Sequence, residues 1–167
     1  QASIVLLGFY REASSLLFEM QSRYSADFLA KVLVVDFNPE AHQELRRLGI
    51  NCQYGDVSNV DTLRHLNLQD TKIIICSIPD KILKGTTNLK LLKTLKQLVP
   101  NSCIIVTAEN MNLARELYAE GAAYVFIPRL IAATYLLGVI DRLQMIGTSS
   151  IREDAKEYLK SRTEVIP

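Results

Sequence analysis

Residues 3–13, which read Ser-Ile-Val-Leu-Leu-Gly-Phe-Tyr-Arg-Glu-Ala, decide the fold. Four consecutive apolar residues, Ile4 to Leu7, run into Gly8 without polar alternation, and a helix-forming segment follows from about Arg11. An uninterrupted apolar run is typical of a parallel strand that is buried on both faces. The stretch therefore predicts the first strand, turn and helix of a βαβ unit, in which backbone N–H groups at the helix N-terminus face a phosphate.

The turn keeps only part of the G-x-G-x-x-G pattern that is typical of dinucleotide sites. Gly8 fills the first position, Tyr10 replaces the second glycine, and Ala13 is a tolerated substitute for the third. The second glycine normally lets the backbone approach a pyrophosphate closely. The sequence therefore predicts the turn and leaves the approach of a pyrophosphate open.

Apolar runs and amphipathic helical segments alternate along the rest of the chain, which predicts a parallel sheet with helices on both faces. Strands are expected at residues 3–7, 31–35, 51–54, 72–76, 103–107 and 123–126. Helices are expected at about 11–23, 39–48, 87–98, 111–120 and 130–145, with one more after a capping box at 58–61. With right-handed crossovers the predicted fold is α/β: a Rossmann-like, doubly wound parallel six-stranded sheet in the order 3-2-1-4-5-6.

We expect residues 1–146 to form this Rossmann-like domain and residues 147–167 to form a hinge and a charged C-terminal helix or tail. Residues 147–150, Gly-Thr-Ser-Ser, predict the hinge, and a helix over 151–163 is expected to leave the body of the domain. Helix 130–145 has few polar positions in its first three turns, so an exposed apolar remainder is expected to form a subunit or partner interface. The chain starts without methionine and enters its first strand almost at once, from which we expect a segment of a longer polypeptide. A processed or tagged native terminus is the alternative.

The composition is that of an ordinary soluble α/β protein, with 49% hydrophobic and 22% charged residues. A formal net charge of +1 gives no electrostatic reason to expect nucleic acid or an anionic membrane surface as a partner. Cys52, Cys76 and Cys103 lie far apart in or beside apolar runs, without zinc-ligand spacing. They are predicted to be small buried residues in a reduced compartment, and no metal site is expected.

In the predicted strand order, the ends of the first and fourth strands flank the crevice where ligands bind. The candidate cofactor-binding residues follow the carboxyl ends of four strands: Gly8, Phe9, Tyr10 and Arg11; Asp36, Phe37 and Asn38; Asp56 and Val57; and Ser77 and Ile78.

Each polar candidate has a functional and a structural interpretation. Asp36 suits both ribose hydroxyls, or it is a turn residue that caps the next helix. Asp56 reaches an adenine edge, or it belongs to a common Gly-Asp turn. Arg11 neutralises a phosphate, or it is a surface side chain. Ser77 reaches phosphate or ribose hydroxyls, as does Asp80, or the two start a turn.

No catalytic residue is expected. His42 and His65 lie on predicted amphipathic helices remote from the strand ends and are expected to be exposed. No tyrosine has a lysine four positions later, and no zinc spacing, Gly-x-Ser-x-Gly elbow or Walker A run occurs. The sequence therefore favours a protein that is not an enzyme.

Five segments together resemble a known family: Ile-Val-Leu-Leu-Gly at 4–8, Val-Val-Asp-Phe-Asn-Pro-Glu at 34–40, Tyr-Gly-Asp-Val-Ser at 54–58, Ile-Ile-Ile-Cys-Ser-Ile-Pro-Asp at 73–80, and Glu-Gly-Ala-Ala-Tyr-Val-Phe-Ile-Pro at 120–128. From Ile4 to about Leu143 the chain resembles the TrkA-N domain, also called the RCK or KTN domain, a nucleotide sensor of potassium channels and transporters. Its more specific signature is the Gly-Asp-Val segment followed by a leucine-bearing helix. Within the family the chain looks most like the cytosolic C-terminal part of a Kef-like monovalent cation:proton antiporter.

The resemblance implies a nucleotide-sensing regulatory domain that gates an attached potassium or other monovalent cation:proton antiporter at the cytoplasmic face of the cell membrane. It implies AMP or NAD(H) as the cofactor and a homodimer formed through helix 130–145. By position, Gly8 would form the turn, Asp36 would hold the ribose, Asp56 and Val57 would meet the adenine, and Ser77 would lie near the phosphates.

Tyr10 and Arg11 depart from the family pattern, so a mononucleotide or no nucleotide is an alternative to a dinucleotide. Two other functions stay open: an NAD-dependent oxidoreductase or methyltransferase of similar architecture, and a structural dimerisation domain with a decayed nucleotide site.

Overall fold

The computed structural model describes residues 2–167. Its strands are β1 (Ile4–Leu7), β2 (Val32–Asp36), β3 (Asn51–Tyr54), β4 (Ile73–Cys76), β5 (Cys103–Thr107) and β6 (Tyr124–Phe126). Its helices are α1 (Arg11–Arg23), α2 (Ala26–Leu29), α3 (Pro39–Arg47), α4 (Val60–His65), α5 (Asn88–Leu98), α6 (Met111–Ala119), α7 (Pro128–Ile146) and α8 (Ser149–Ser161). A short 3-10 helix covers Leu68–Asp70.

The strands form one sheet in the order β3-β2-β1-β4-β5-β6, and every neighbouring pair is parallel. This confirms the predicted α/β fold and strand order. Leu7 of β1 pairs with Val35 of β2 and with Cys76 of β4. The residues that follow these three strands therefore emerge side by side at one edge of the sheet.

Two apolar clusters hold the helices to the two faces of the sheet. On one face, Leu6 and Val34 pack with Ala13 and Leu17 of α1 and with Leu45 of α3. Ala13 and Leu17 are four residues apart and so share one side of the helix. The other cluster packs side chains of α4, α5 and α6 against the opposite face. Each fully buried leucine contributes roughly 2 kcal/mol to folding.

Side-chain caps start four of the helices that follow the strands. Asn38, Asn59, Thr87 and Asn110 each accept a hydrogen bond from a first-turn amide, of α3, α4, α5 and α6 respectively. The cap of α4 is Asn59, so the predicted capping box is wrong in its first residue. At α1 the N-cap residue is Tyr10, which makes no capping hydrogen bond with its side chain.

The segment after the sheet differs from its prediction. The helix α8 begins at Ser149, so only Gly147 and Thr148 separate it from α7. The charged segment does not leave the body of the fold, because Tyr158 and Arg162 near its end donate hydrogen bonds to Glu19 of α1. After it, the backbone N–H of Ile166 donates a hydrogen bond to Ser14 Oγ of α1. The prediction was wrong because the apolar and charged groups of residues 162–166 find partners on α1 that periodicity alone does not reveal. The division of the chain at residue 146 stays a prediction.

The helix α7 lies almost entirely in solvent and carries many exposed apolar side chains: Leu130, Ile131, Tyr135, Leu136, Leu137, Ile140, Leu143, Met145 and Ile146. Within residues 2–167, no helix is both long enough and apolar enough to cross a membrane.

The three thiols differ in exposure, and the prediction that all are buried is wrong. Cys76 is buried, Cys52 is half-buried, and Cys103 is exposed at the start of β5. Burial raises the pKa of Cys76 to about 12 and that of Cys52 to about 11. A raised pKa lowers the fraction of reactive thiolate near neutral pH.

We therefore expect Cys103 to react with Ellman's reagent in the folded protein well before Cys52 and Cys76. All three should react together after unfolding in guanidinium, and Cys103→Ser should remove the fast phase. A fast phase that persists in Cys103→Ser would contradict the placement of these strands.

Candidate functional site

A crevice of about 750 Å³ opens at the edge of the sheet where β1, β2 and β4 end. Its volume is within the range of roughly 300–1,000 Å³ that is usual for small-molecule sites. Residues from four connecting segments and the C-terminal end line it: Phe9, Tyr10, Asp36, Phe37, Asn38, Pro39, Glu40, Asp56, Val57, Ile78, Ile82, Leu83, Lys84, Val165, Ile166 and Pro167.

The carboxylate of Asp36 ties the turn after β1 to the turn after β2. Its Oδ2 accepts a hydrogen bond from the Phe9 amide at 2.8 Å, and its Oδ1 accepts one from the Asn38 amide at 2.7 Å. Asp36 is 6% exposed. An amide that loses its partner in such a buried place costs about 1–3 kcal/mol, so this carboxylate fixes the local backbone.

Asp36 does not cap α3, because Asn38 does so with its own side chain, which accepts from the Glu40 amide at 3.0 Å. Each carboxylate oxygen has two lone pairs, and each is engaged by one amide. The carboxylate therefore keeps capacity for hydroxyl donors from a ligand in the crevice.

Gly8 allows the chain to turn sharply between β1 and α1. Its φ of +80° lies in the left-handed region, and a Cβ built there would lie 2.3 Å from Cδ1 of Ile78. Any larger residue would strain the turn and displace Ile78, which lies on the wall of the crevice.

Tyr10 lines the crevice without filling it. The first-turn amides of α1 receive no side-chain cap from it, and such amides form a favourable environment for an anion. The Arg11 guanidinium lies 5.4 Å from the centroid of the Tyr10 ring. Arg11 is exposed and is not on the wall, so the structure places it against Tyr10 and away from the crevice.

Asp56 and Val57 bring the turn after β3 to the crevice. Oδ1 of Asp56 accepts hydrogen bonds from the amide and the hydroxyl of Ser58, at 2.9 and 2.7 Å. Among residues 2–167, no hydrogen bond reaches Oδ2 of Asp56, which leaves that oxygen for a ligand. Val57 is 6% exposed and joins the wall to the hydrophobic core.

The loop between β4 and α5 is held by Asn88. Asp80 Oδ1 accepts from both the backbone amide and the side-chain amide of Asn88, each at 2.8 Å, and the side-chain amide also donates to the Ile78 carbonyl. Asp80 is thus a loop residue, and Ser77 is buried and does not line the crevice. The fixed loop carries Ile78 and Lys84 onto the wall.

His42 is buried, so its predicted exposure is wrong. Its Nε2 lies 2.6 Å from the backbone carbonyl oxygen of Asp36. A carbonyl oxygen only accepts, so Nε2 is the donor of this bond. Burial follows because α3 turns His42 toward the end of β2, where its ring also lies 5.9 Å from that of Tyr54. His65 is exposed, as predicted.

Eight of the eleven predicted site residues line the crevice, whereas Gly8, Arg11 and Ser77 do not. Sequence reasoning missed Pro39, Glu40, Ile82, Leu83, Lys84 and residues 165–167. The length of the loop after β4 was the available signal for Ile82 to Lys84, whereas nothing in the local pattern indicates residues 165–167. Across residues 2–167, no group of three or more His, Cys, Asp or Glu residues could hold a metal ion.

The chain is similar in sequence to the glutathione-regulated potassium-efflux system protein KefC of Enterobacter sp. (strain 638), with 27% identity over 112 residues. The match covers 67% of this chain and 17% of KefC, so the chain spans well under a quarter of that relative.

Two solved structures share the fold. The TrkA-N domain of the inner membrane protein ybaL from Escherichia coli superposes with a TM-score of 0.68 at 20% identity, covering 83% of this chain and 97% of that one. The Kef CTD of Shewanella denitrificans in its AMP-bound form superposes with a TM-score of 0.57 at 17% identity, covering 94% and 90%.

The model of the TrkA-N domain family matches residues 4–128, which contain all six strands and the turns after β1, β2, β3 and β4. The chain therefore belongs to the TrkA-N domain family.

Proposed function

We propose that the crevice binds an adenine nucleotide and that its occupancy regulates an attached transporter of potassium or another monovalent cation. The buried carboxylate of Asp36, on the wall of a crevice of nucleotide size, is the observation that carries the proposal. A carboxylate at the end of the second strand of a Rossmann-like fold is suited to ribose hydroxyls.

The residues on the wall fit the parts of a nucleotide. Asp36 would accept hydrogen bonds from the ribose, and its charge would repel the extra phosphate of NADP. Val57 and Ile78 offer apolar surface to the adenine base, and the unpartnered Oδ2 of Asp56 suits its exocyclic amine. The uncapped amides of α1 and the ammonium group of Lys84 would hold the phosphate.

AMP fits this wall better than NAD(H) does. A dinucleotide needs a second glycine for the close approach of its pyrophosphate, and Tyr10 stands at that position. The single phosphate of a mononucleotide would bind the amides at the start of α1 and Lys84 without that close approach. The Kef CTD from Shewanella denitrificans, which has the same fold, has an AMP-bound form, which supports a mononucleotide as a ligand that this fold can bind.

Regulation fits the site better than catalysis does. His42 is committed to the Asp36 carbonyl, and the polar groups on the wall are suited to binding a nucleotide. The similarity to KefC supports a role in potassium transport at the cytoplasmic face of a membrane, with this chain linked to a transporter domain. A nucleotide can shift such a transporter only if it prefers one of its conformations.

We propose a homodimer formed through α7. Its exposed apolar side chains lie on all sides of the helix, and monomeric soluble proteins rarely expose so continuous an apolar surface. If two copies pack through α7, a conformational change caused by a nucleotide in one crevice can be transmitted across this interface to the other crevice. A structural dimerisation domain with a decayed site is the second candidate, since it needs α7 and not the crevice.

Replacing Lys84 should weaken the binding of phosphate specifically. In isothermal titration calorimetry, Lys84→Ala should bind AMP about 5- to 10-fold more weakly than the unmodified chain, which is the loss expected for one partly exposed charged contact of about 1 kcal/mol. Its affinity for adenosine should not change.

The matched control is Lys81→Ala, in the same loop but paired with Glu109 and off the crevice wall. It should bind AMP like the unmodified chain. The absence of binding to AMP, ADP, ATP, NAD and NADH by the unmodified chain would refute the nucleotide part of the proposal and favour the structural dimerisation domain.

A charge on the apolar surface of α7 should separate the dimer. We expect sedimentation to show a dimer for the unmodified chain and a monomer for Leu136→Glu, because Leu136 is 58% exposed and would bury its side chain at the interface. Arg142→Glu on the same helix, which removes no apolar side chain, should stay dimeric. A monomeric unmodified chain at high concentration would disprove dimerisation through α7.

A further inference from the structure

A segment after α8, residues 162–166, folds back along α1 and ends at the crevice; we call it the strap. Val165 and Ile166 of the strap pack against the apolar cluster under α1, and both lie on the crevice wall. The Ile166 amide donates a hydrogen bond to Ser14 Oγ at 2.8 Å, and Ser14 is 1% exposed. Ser14 lies one turn after Tyr10, so the strap docks beside the first turn of α1, and Val165 and Ile166 extend from there onto the crevice wall.

The strap is anchored away from the crevice by Arg162, whose side chain is 14% exposed. Its Nη1 lies 2.7 Å from Glu19 Oε1, and its Nη2 donates to the Ser15 carbonyl oxygen at 3.2 Å. The guanidinium also lies 4.4 Å from the centroid of the Phe18 ring. Hydrogen bonds between charged groups are stronger than those between neutral ones, so this contact is specific.

A second contact and the ionisation of Glu19 reinforce the anchor. Glu164 Oε2 accepts a hydrogen bond from Ser15 Oγ at 2.8 Å. The hydrogen bond from Arg162 lowers the pKa of Glu19, which favours the ionised carboxylate that pairs with the guanidinium. Among the residues that the structure describes, those on the crevice wall include neither Arg162 nor Glu19. The anchor can therefore be removed without altering a residue on the wall.

We propose that the strap is a movable wall of the nucleotide site, so that a docked strap and a bound nucleotide stabilise each other. This inference rests on the proposed function, because it assigns one more wall to the same site. The crevice keeps about 750 Å³ with the strap docked, so the strap lines the site and does not fill it. The coupling is therefore positive, and it acts equally in both directions.

The chemistry of the strap identifies the part of the ligand that it covers. Val165 and Ile166 present apolar side chains and no charge to the crevice, which suits the nucleoside and not the phosphate. Detaching the strap should therefore weaken the binding of adenosine and the binding of AMP to the same extent. Lys84→Ala, in contrast, should weaken AMP alone.

The test uses the full chain with Arg162→Gln, and Arg152→Gln as the matched control. Arg152 is an exposed arginine of α8 whose guanidinium lies 4.0 Å from the carboxylate of its neighbour Glu153. Calorimetry should show at least about a 5-fold rise in the Kd of both AMP and adenosine for Arg162→Gln, and no change for Arg152→Gln. Hydrogen exchange by NMR should show that saturating AMP slows exchange of the Ile166 amide in the unmodified chain, and that Arg162→Gln speeds it.

Ile166→Ala provides a second variant in case Arg162→Gln folds poorly by circular dichroism. This substitution removes apolar surface from the crevice wall and keeps the Arg162 anchor. It should also weaken the binding of both AMP and adenosine. An unchanged or tighter affinity in these variants, with the unmodified chain binding AMP, would overturn the strap while leaving the proposed function intact. No AMP binding by the unmodified chain would instead overturn the proposed function and the strap's role with it.

Discussion

The candidate site depends on one carboxylate. One carboxylate oxygen of Asp36 accepts a hydrogen bond from the Phe9 amide, and the other accepts one from the Asn38 amide. Asp36 therefore joins the turns after β1 and β2. The parallel register brings these turns to the same edge of the sheet, and Asp36 fixes how they face each other. The buried His42 also helps to hold Asp36 in place, because its Nε2 donates a hydrogen bond to the backbone carbonyl oxygen of Asp36. One residue thus holds the backbone and offers its remaining lone pairs to the crevice.

The same arrangement limits which ligand fits. Gly8 gives the turn its left-handed conformation, but Tyr10 stands where a dinucleotide site has glycine. The first amides of α1 stay uncapped, while α3, α4, α5 and α6 each begin with a side-chain cap. A small anion at α1 and an apolar base against the opposite loops suit a mononucleotide. The strap closes the crevice from the side of α1 and links ligand binding to the end of the chain.

The sequence predicted the fold well because the fold follows from patterns that are local in the chain. Apolar runs and the turn at Gly8 are visible in short stretches of the chain, and the strand order follows from the handedness of crossovers. The topology also predicted which strand ends meet. It therefore predicted that Asp36, Asp56 and Ile78 lie at the crevice. Ser77 and Arg11 were placed by sequence position alone, which does not say toward which side a residue after a strand points.

The rest could not be predicted because it depends on contacts between distant residues. The docking of Ile166 on Ser14 joins positions 152 residues apart, and no periodicity reports it. The burial of His42 depends on how α3 packs beside β2. The sequence of the helix alone indicates an exposed, polar position there. Lys84 reaches the crevice because Asn88 folds its loop, a hydrogen-bond pattern that becomes visible only in three dimensions.

The most direct test of the nucleotide crevice is an NMR titration of the full chain with AMP. If the ribose binds Asp36, the amide resonances of Phe9 and Asn38, which donate to its two oxygens, should shift most, together with those of Tyr10 and Val57. Shifts confined to other parts of the chain, or none at saturating AMP, would contradict the assignment of this crevice as a nucleotide site.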